Sequence, residues 1–422
     1  MIISFIEFCI YKLLLDFFCF FILGTISHDF VIVYNDEKYV FSWCIYSALC
    51  LLVSYWLKSE EEFKISQQII LSLFMFSTVP FIVLFSSEVI TLDCLLTNLF
   101  FIVVFILIYF AISKTVLLIC GKLSLFKQRK LPISSRENVF KLLVVLSVSS
   151  VIFTFFYYMG GSLFLDGFNV YNQRALFAKA NIPVILRYIL GFSNIVELVL
   201  LIWVLDRKQY LFAGIMLCVS YIHFSLGGEK TVLFSIVLGV ILFFARKILT
   251  KNSFILFFCI VIFGGILTGV LWQFGVIEVP WLASFVRRMF FVPSLLNQYY
   301  FDYFSTHSFP FWGINRDYSI GLGIANRLSD MYLNSPNGFA NNGLLGDAYS
   351  NAGYVGCVYS AILLSIIFKL FDFVSDGINK ICYIGVSVYI AFSLLNTICT
   401  TVMVTHGGFV AILLLYCLPR DA

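Results

Sequence analysis

Apolar blocks of about 20 residues, joined mostly by short polar connections, recur along the chain. They predict about twelve spanning helices, with cores at 2–23, 39–57, 65–85, 95–120, 139–159, 184–205, 210–226, 231–248, 254–274, 352–371, 381–399 and 402–418. Lipid offers no partner to backbone N–H and C=O groups, so such blocks are stable as helices that bond internally. The first block carries Glu7, Lys12 and Asp16 and is read as a spanning or partly interfacial helix, not a cleavable leader. Residues 276–351 break the rhythm with a long polar and aromatic stretch, where function is expected to concentrate.

The expected fold is therefore all-α: a polytopic membrane protein whose large loop contains short amphipathic helices. The expected organisation is 1–159 with five helices, a first main loop at 160–183, and 184–275 with four helices. The large loop, 276–351, and a final three-helix segment, 352–422, complete it. Composition agrees: 61% of residues are hydrophobic and 12% charged, which excludes a soluble domain of this length. The 12 cysteines lie mostly inside apolar blocks and none falls in 276–351, which argues against a disulfide framework or a thiolate metal site.

Lys and Arg mark alternate short connections. Lys58 and Lys64, then Lys122 to Arg136, Arg207 and Lys208, Arg246 to Lys251, and Lys369 and Lys380 share one side, expected to be the cytoplasm. Both termini then face the cytoplasm, and 160–183 and 276–351 face outward. Gly227-Gly228-Glu229-Lys230-Thr231 lacks the spacing of a phosphate loop and follows a spanning helix, so it reads as a tight turn. No HExxH, CxxC or GxSxG pattern occurs, and no metal, serine nucleophile, nucleotide cofactor or nucleic-acid partner is expected.

Arg174, Lys179, Arg287, Arg288, Arg316 and Arg327 lie on the outward side, where positive charge has no topogenic use, and Arg187 lies just inside the next helix. A planar guanidinium matches pyrophosphate or carboxylate through paired hydrogen bonds. The plainer alternative is interfacial snorkelling or structural ion pairing. Arg187, at membrane depth, needs a cavity or a partner such as Glu197. Between Pro280 and Pro293, Leu282, Phe285, Val286, Met289 and Phe290 form an apolar arc opposite Ser284, Arg287 and Arg288. That pattern suits a helix lying on the outer membrane surface.

Next, 295–307 interleaves rings, among them Tyr299 and Tyr300, with Asn, Gln, Asp302 and His307, the mixture a sugar-binding groove needs. Asp302 and His307 are candidates for general acid or base. In 341–356, which includes Asn342, small residues allow close approach, and Asp347 is expected to cap a helix N-terminus while orienting an arginine.

These stretches resemble the Wzy-type O-antigen polymerases. The resemblance lies in Arg288-Met289-Phe290-Phe291-Val292-Pro293, the Tyr/Phe/Asp run to Phe304, Phe309-Pro310-Phe311-Trp312 and the Asn342–Gly343 to Gly356 segment. The arrangement of about twelve helices with two main outer loops also agrees. The family shows an Arg-x10-Gly pattern in its large loop, and Arg327 and Gly338 have that spacing here. In the smaller loop, Arg174 and Gly191 come one residue longer than the family spacing.

The resemblance implies a bacterial inner-membrane enzyme active on its periplasmic face. It would join oligosaccharide repeat units carried on undecaprenyl pyrophosphate, with a chain-length regulator as a further partner. It implies Arg174, Arg288 and Arg327 for pyrophosphate and glycan contacts, and Asp302, His307 and Asp347 as acid–base or orienting groups. A lipid-linked oligosaccharide flippase and an O-antigen ligase are the rival readings.

Overall fold

The computed structural model describes residues 2–58, 64–122, 133–161, 170–245, 251–314, 323–336, 338–378 and 380–418. Among these residues the regular structure is entirely helical. In chain order the helices are α1 (Ile2–Phe18), α2 (Asp36–Lys58), α3 (Ile65–Leu73), α4 (Val79–Ser86), α5 (Leu92–Lys122) and α6 (Ile133–Phe153). Then come α7 (Val170–Lys179), α8 (Val184–Asp206), α9 (Tyr210–Gly227), α10 (Lys230–Ala245), α11 (Lys251–Gln273), α12 (Trp281–Val286) and α13 (Val292–Thr306). The last are α14 (Ile324–Leu333), α15 (Leu344–Ser375), α16 (Lys380–Asn396), α17 (Cys399–Val404) and α18 (Gly408–Cys417).

Nine helical stretches among the described residues are long and apolar enough to cross a membrane, so the protein is multi-pass. Two shorter apolar helices, Thr231–Phe244 and Cys382–Asn396, fall within further expected blocks. Each of the twelve blocks holds a helix. The last is broken: α17 and α18 part at Thr405–Gly407, with Gly407 at φ +80°. The turn between α9 and α10 is tight as expected, with Gly228 left-handed at φ +60° closing α9.

The chain divides into two compact units that interleave in sequence. The first comprises Met1–Leu117, Ile248–Ile367 and Leu394–Cys399; the second comprises Leu118–Lys247, Phe368–Ser393 and Thr400–Ala422. In the first, α1 and α12 pack on α11, α2 packs on α4, and α13 packs on α4 and α14. In the second, α8 is the hub for α6, α9, α10 and α18.

The 280–293 segment departs from expectation. Most of its apolar arc is buried in protein: Val286, Met289 and Phe290 are buried, and Phe285 is exposed. Leu282 and Val286 fill the space left by Gly264 and Gly265 of α11. The Ala283 N–H donates to Thr268 Oγ1 at 3.0 Å. Phe290 meets Tyr11, Phe76 and Phe258, and Phe291 stacks on Phe18 at 5.6 Å. Periodicity identifies an apolar face but not what covers it, and the glycine pair on α11 lets the segment dock against protein.

Two π-helical turns meet here, Phe74–Thr78 before α4 and Arg287–Phe291 before α13. Each leads into a helix with proline in its first turn, Pro80 and Pro293. A wider turn tolerates a proline that lacks an N–H and would crowd the preceding carbonyl of a regular helix.

Candidate functional site

Pro293 opens α13 and His307, in extended conformation, closes it. Successive turns of this helix present side chains to different partners. Asn297 Oδ1 accepts from Asn342 Nδ2 at 2.7 Å and from the Gly346 N–H at 2.9 Å, tying α13 to the start of α15. The Tyr300 hydroxyl donates to the Ala340 carbonyl at 3.0 Å. Leu296, Tyr300, Tyr303 and Phe304 form one apolar cluster with Leu328 of α14. Tyr299 stacks on Tyr332 of α14 with centroids 4.6 Å apart and planes at 13°.

Asp302 is held by a relay. Gln298 Nε2 donates to Asp302 Oδ1 at 2.7 Å, while Gln298 Oε1 accepts the Thr91 N–H at 2.9 Å. Burial pushes the Asp302 carboxyl above the ordinary aspartate range, and the Gln298 hydrogen bond opposes part of that shift. Burial also raises the Tyr299 hydroxyl, helped by Asp29 and Asp302. Asp302 is thus a half-buried carboxylate beside an aromatic face, suited to accepting a hydroxyl proton.

His307 stacks on Tyr303 at 4.0 Å, and its Nδ1 lies 2.9 Å from the Tyr303 carbonyl. A carbonyl accepts only, so Nδ1 carries the proton in this arrangement and Nε2 is the basic nitrogen. Asp347 does not cap its own helix, which begins three residues earlier at Leu344. Its carboxylate accepts the Cys399 N–H at 3.3 Å, the N–H that opens α17, and the Asn351 amide at 3.0 Å. It serves a different helix end because the 344–351 turn places it beside 394–399, a proximity that local sequence does not encode.

The arginines divide. Arg287 is committed to structure: Nη1 donates to Ser27 Oγ at 2.8 Å and reaches Asp29 Oδ2 at 3.3 Å. Burial lowers its pKa against the opposing effect of Asp29. Arg288, the next residue, is exposed and forms no ion pair among the described residues. Arg327 sits on α14, and the side-chain amide of neighbouring Asn326 donates to the Gly338 carbonyl at 2.8 Å. A Cβ at Gly338 would strike Ser329 and Ser335, which explains that glycine by packing. Arg316 lies outside the described residues.

In the second unit, Arg174 Nη2 donates to the Gly228 carbonyl at 3.4 Å, and Gln173 Nε2 donates to the Ser225 carbonyl at 2.6 Å. Both satisfy carbonyls at the end of α9. Arg187 is exposed and donates to the Ala180 carbonyl at 3.0 Å. Glu197 is not its partner: His223 Nδ1 lies 2.8 Å from Glu197 Oε1, and both are buried. The glutamate lies ten residues beyond Arg187 along α8, out of reach of an arginine that bonds back to Ala180. Sequence reasoning missed this Glu197–His223 pair, the Lys12–Asp16 pair in α1, and the individual roles of Asn297 and Gln298. Charged residues inside apolar blocks were the available signal.

In the first unit α13 thus carries two sets of contacts, Tyr299 with Tyr332 and Asp302 with Gln298 in one, and Asn297 and Tyr300 holding Asn342 and the 340–346 stretch in the other, while Arg288 lies in the turn before the helix and Asp347 bonds Cys399 and Asn351. No protein-family model, curated protein or solved structure matches this chain.

Proposed function

We propose that this multi-pass protein is an O-antigen polymerase, a glycosyltransferase that joins undecaprenyl-pyrophosphate-linked repeat units at the periplasmic face of the bacterial inner membrane. The observation that carries the reading is the α13 arrangement: the stacked Tyr299–Tyr332 pair and Asp302 held by Gln298, with an exposed Arg288 in the turn that leads into the helix. Rings offer faces for pyranoses, and amides address hydroxyls. In the proposed reaction an acceptor hydroxyl attacks the donor anomeric carbon and lipid pyrophosphate departs. Asp302 takes the hydroxyl proton, and Arg288 with Arg327 balances the developing pyrophosphate charge. His307 and Asp347 orient and support.

The proposed topology uses all twelve blocks as spans, with both termini cytoplasmic. Lipopolysaccharide banding in a strain lacking the protein tests this reading. A core bearing a single repeat unit supports it; bare core points to a flippase or a ligase. The flippase reading keeps one specific support, the buried ion pair Lys12–Asp16 and the buried Glu197–His223 hydrogen bond inside apolar helices.

A further inference from the structure

Two exposed rings in the first unit stand on backbone that their residue type disfavours. Beyond α13 the chain reaches Phe309, which stacks on Phe304 at 5.7 Å and meets Tyr349 edge-on at 5.8 Å. Phe309 also fills the space at Gly353, where α15 breaks: a Cβ there would lie 3.1 Å from the ring. Pro310 is buried. Phe311 and Trp312 follow in one tight turn, both left-handed, at φ +45° and +56°. Bulky residues rarely hold that conformation, and two in succession persist only where the surroundings compensate the strain.

Protein covers only part of either ring. Phe311 is 47% exposed, Trp312 49% and Ile314 81%. Trp312 meets Tyr359 of α15 edge-on, with centroids 4.9 Å apart. Stretch 308–314 carries no charge that would oppose entry into an apolar medium.

The contact with Tyr359 identifies that medium. α15 is long and apolar enough to cross a membrane. Along it Val355, Tyr359, Ile362 and Ile366 recur every three or four residues and are all exposed, while Cys357, Ala361, Leu364 and Ser365 between them are buried. The exposed apolar stripe of a spanning helix faces lipid. The polar start of α15 ends at Asn351, and Tyr359 lies eight residues further on, about 12 Å at the helical rise of about 1.5 Å per residue. Side chains lean towards the helix N-terminus, so the Tyr359 ring, and Trp312 against it, sit above that depth.

We propose that the Phe311–Ile314 turn docks in the phospholipid leaflet at the N-terminal end of α15. Its rings continue the lipid-facing stripe of that helix. The Ile314 N–H donates to the Phe311 carbonyl at 3.2 Å, so the turn satisfies part of its own backbone. Irregular backbone is not tolerated bare in the hydrocarbon core, so the backbone stays among the headgroups while the rings reach the acyl chains. Trp suits that boundary, having an apolar body and one polar N–H. Through Phe309 the docked turn holds the ends of α13 and α15 at headgroup height. This inference does not rest on the polymerase reading.

The test uses the purified full-length protein in phosphatidylcholine nanodiscs, with Trp312→Phe as reference. Subtracting the emission of the variant from that of the wild type isolates Trp312 from the rest of the 6 tryptophans. Bromine carried high on the acyl chains should remove about half or more of this emission, and aqueous iodide should change it little, as for a ring about 5–10 Å below the headgroup boundary. Phe311→Trp adds an indole in the same turn and should add emission with the same response; it decides the matter if Trp312→Phe disturbs the fold. Emission quenched by iodide but not by brominated lipid would overturn the proposal, since the rings would then stand in water. So would emission that neither agent quenches, which would place the rings against a second copy of the chain.

Discussion

Tyr299 and Tyr332 lie face to face, 4.6 Å between centroids and 13° from parallel, bridging α13 and α14. Each ring gives one face to the other and both are only half-buried, so the pair is a rigid platform. Replacing Tyr332 with Ala removes one wall. We expect KM for the lipid-linked acceptor to rise about two- to tenfold, in line with an aromatic pair worth about 0.5–1.5 kcal/mol, with kcat little changed. An unchanged KM would remove the platform from the acceptor site.

Arg287 and Arg288 are adjacent but should behave oppositely. Arg287→Ala breaks contacts with Asp29 and Ser27 at a partly exposed pair, so a stability loss of at most about 1 kcal/mol is expected. Arg288→Ala touches no ion pair among the described residues, and should leave the melting temperature unchanged. Its turnover should fall about 100- to 1,000-fold, the cost typical of losing one group aimed at developing charge. Parallel thermal melts and chain-elongation rates of the two variants separate these roles.

The helices were legible because apolar blocks of spanning length have one low-energy form in lipid. The Arg288-to-Phe304 stretch was legible as a place of interest because rings and polar groups alternate there. What covers each face was not. The Leu282–Phe290 arc reads equally well as lipid-facing or protein-facing, and Gly264 with Gly265, nearly 20 residues earlier, decides it. Arg187 and Glu197 share a helix, yet the glutamate finds His223 on the next one. Asp347 looks like a local cap because its partner, the Cys399 N–H, is 52 residues away.

Asp302 gives a pH dependence of defined sign. Burial raises its carboxyl pKa in the folded state above the unfolded value. Its contribution to stability is thus fully present below the unfolded pKa of about 3.9 and is lost as pH rises through the higher folded value. As a general base it works only when ionised, so activity should rise over that same window. Asp302→Asn should flatten the stability slope there and abolish elongation. Thermal melts and elongation rates across mildly acid pH check both.

Asn297 and Asn342 should matter through architecture. Asn342→Ala leaves Asn297 Oδ1 with the Gly346 N–H alone and removes one of two acceptors from the Gly343 N–H, which keeps the Leu395 carbonyl at 3.2 Å. With both side chains buried, a loss of about 1–3 kcal/mol is expected, read as earlier thermal inactivation in detergent. Asn342→Asp keeps the acceptor but sets a buried carboxylate oxygen against Asn297 Oδ1, and should recover none of the loss.

The most direct measurement is elongation of a purified undecaprenyl-pyrophosphate-linked repeat unit by the purified protein, with and without chelator. The expected result is a ladder of products bearing two or more units, insensitive to chelator and missing with Arg288→Ala and Asp302→Asn. Failure of the folded wild type to couple any two units, or an undiminished ladder from both variants, would contradict the account.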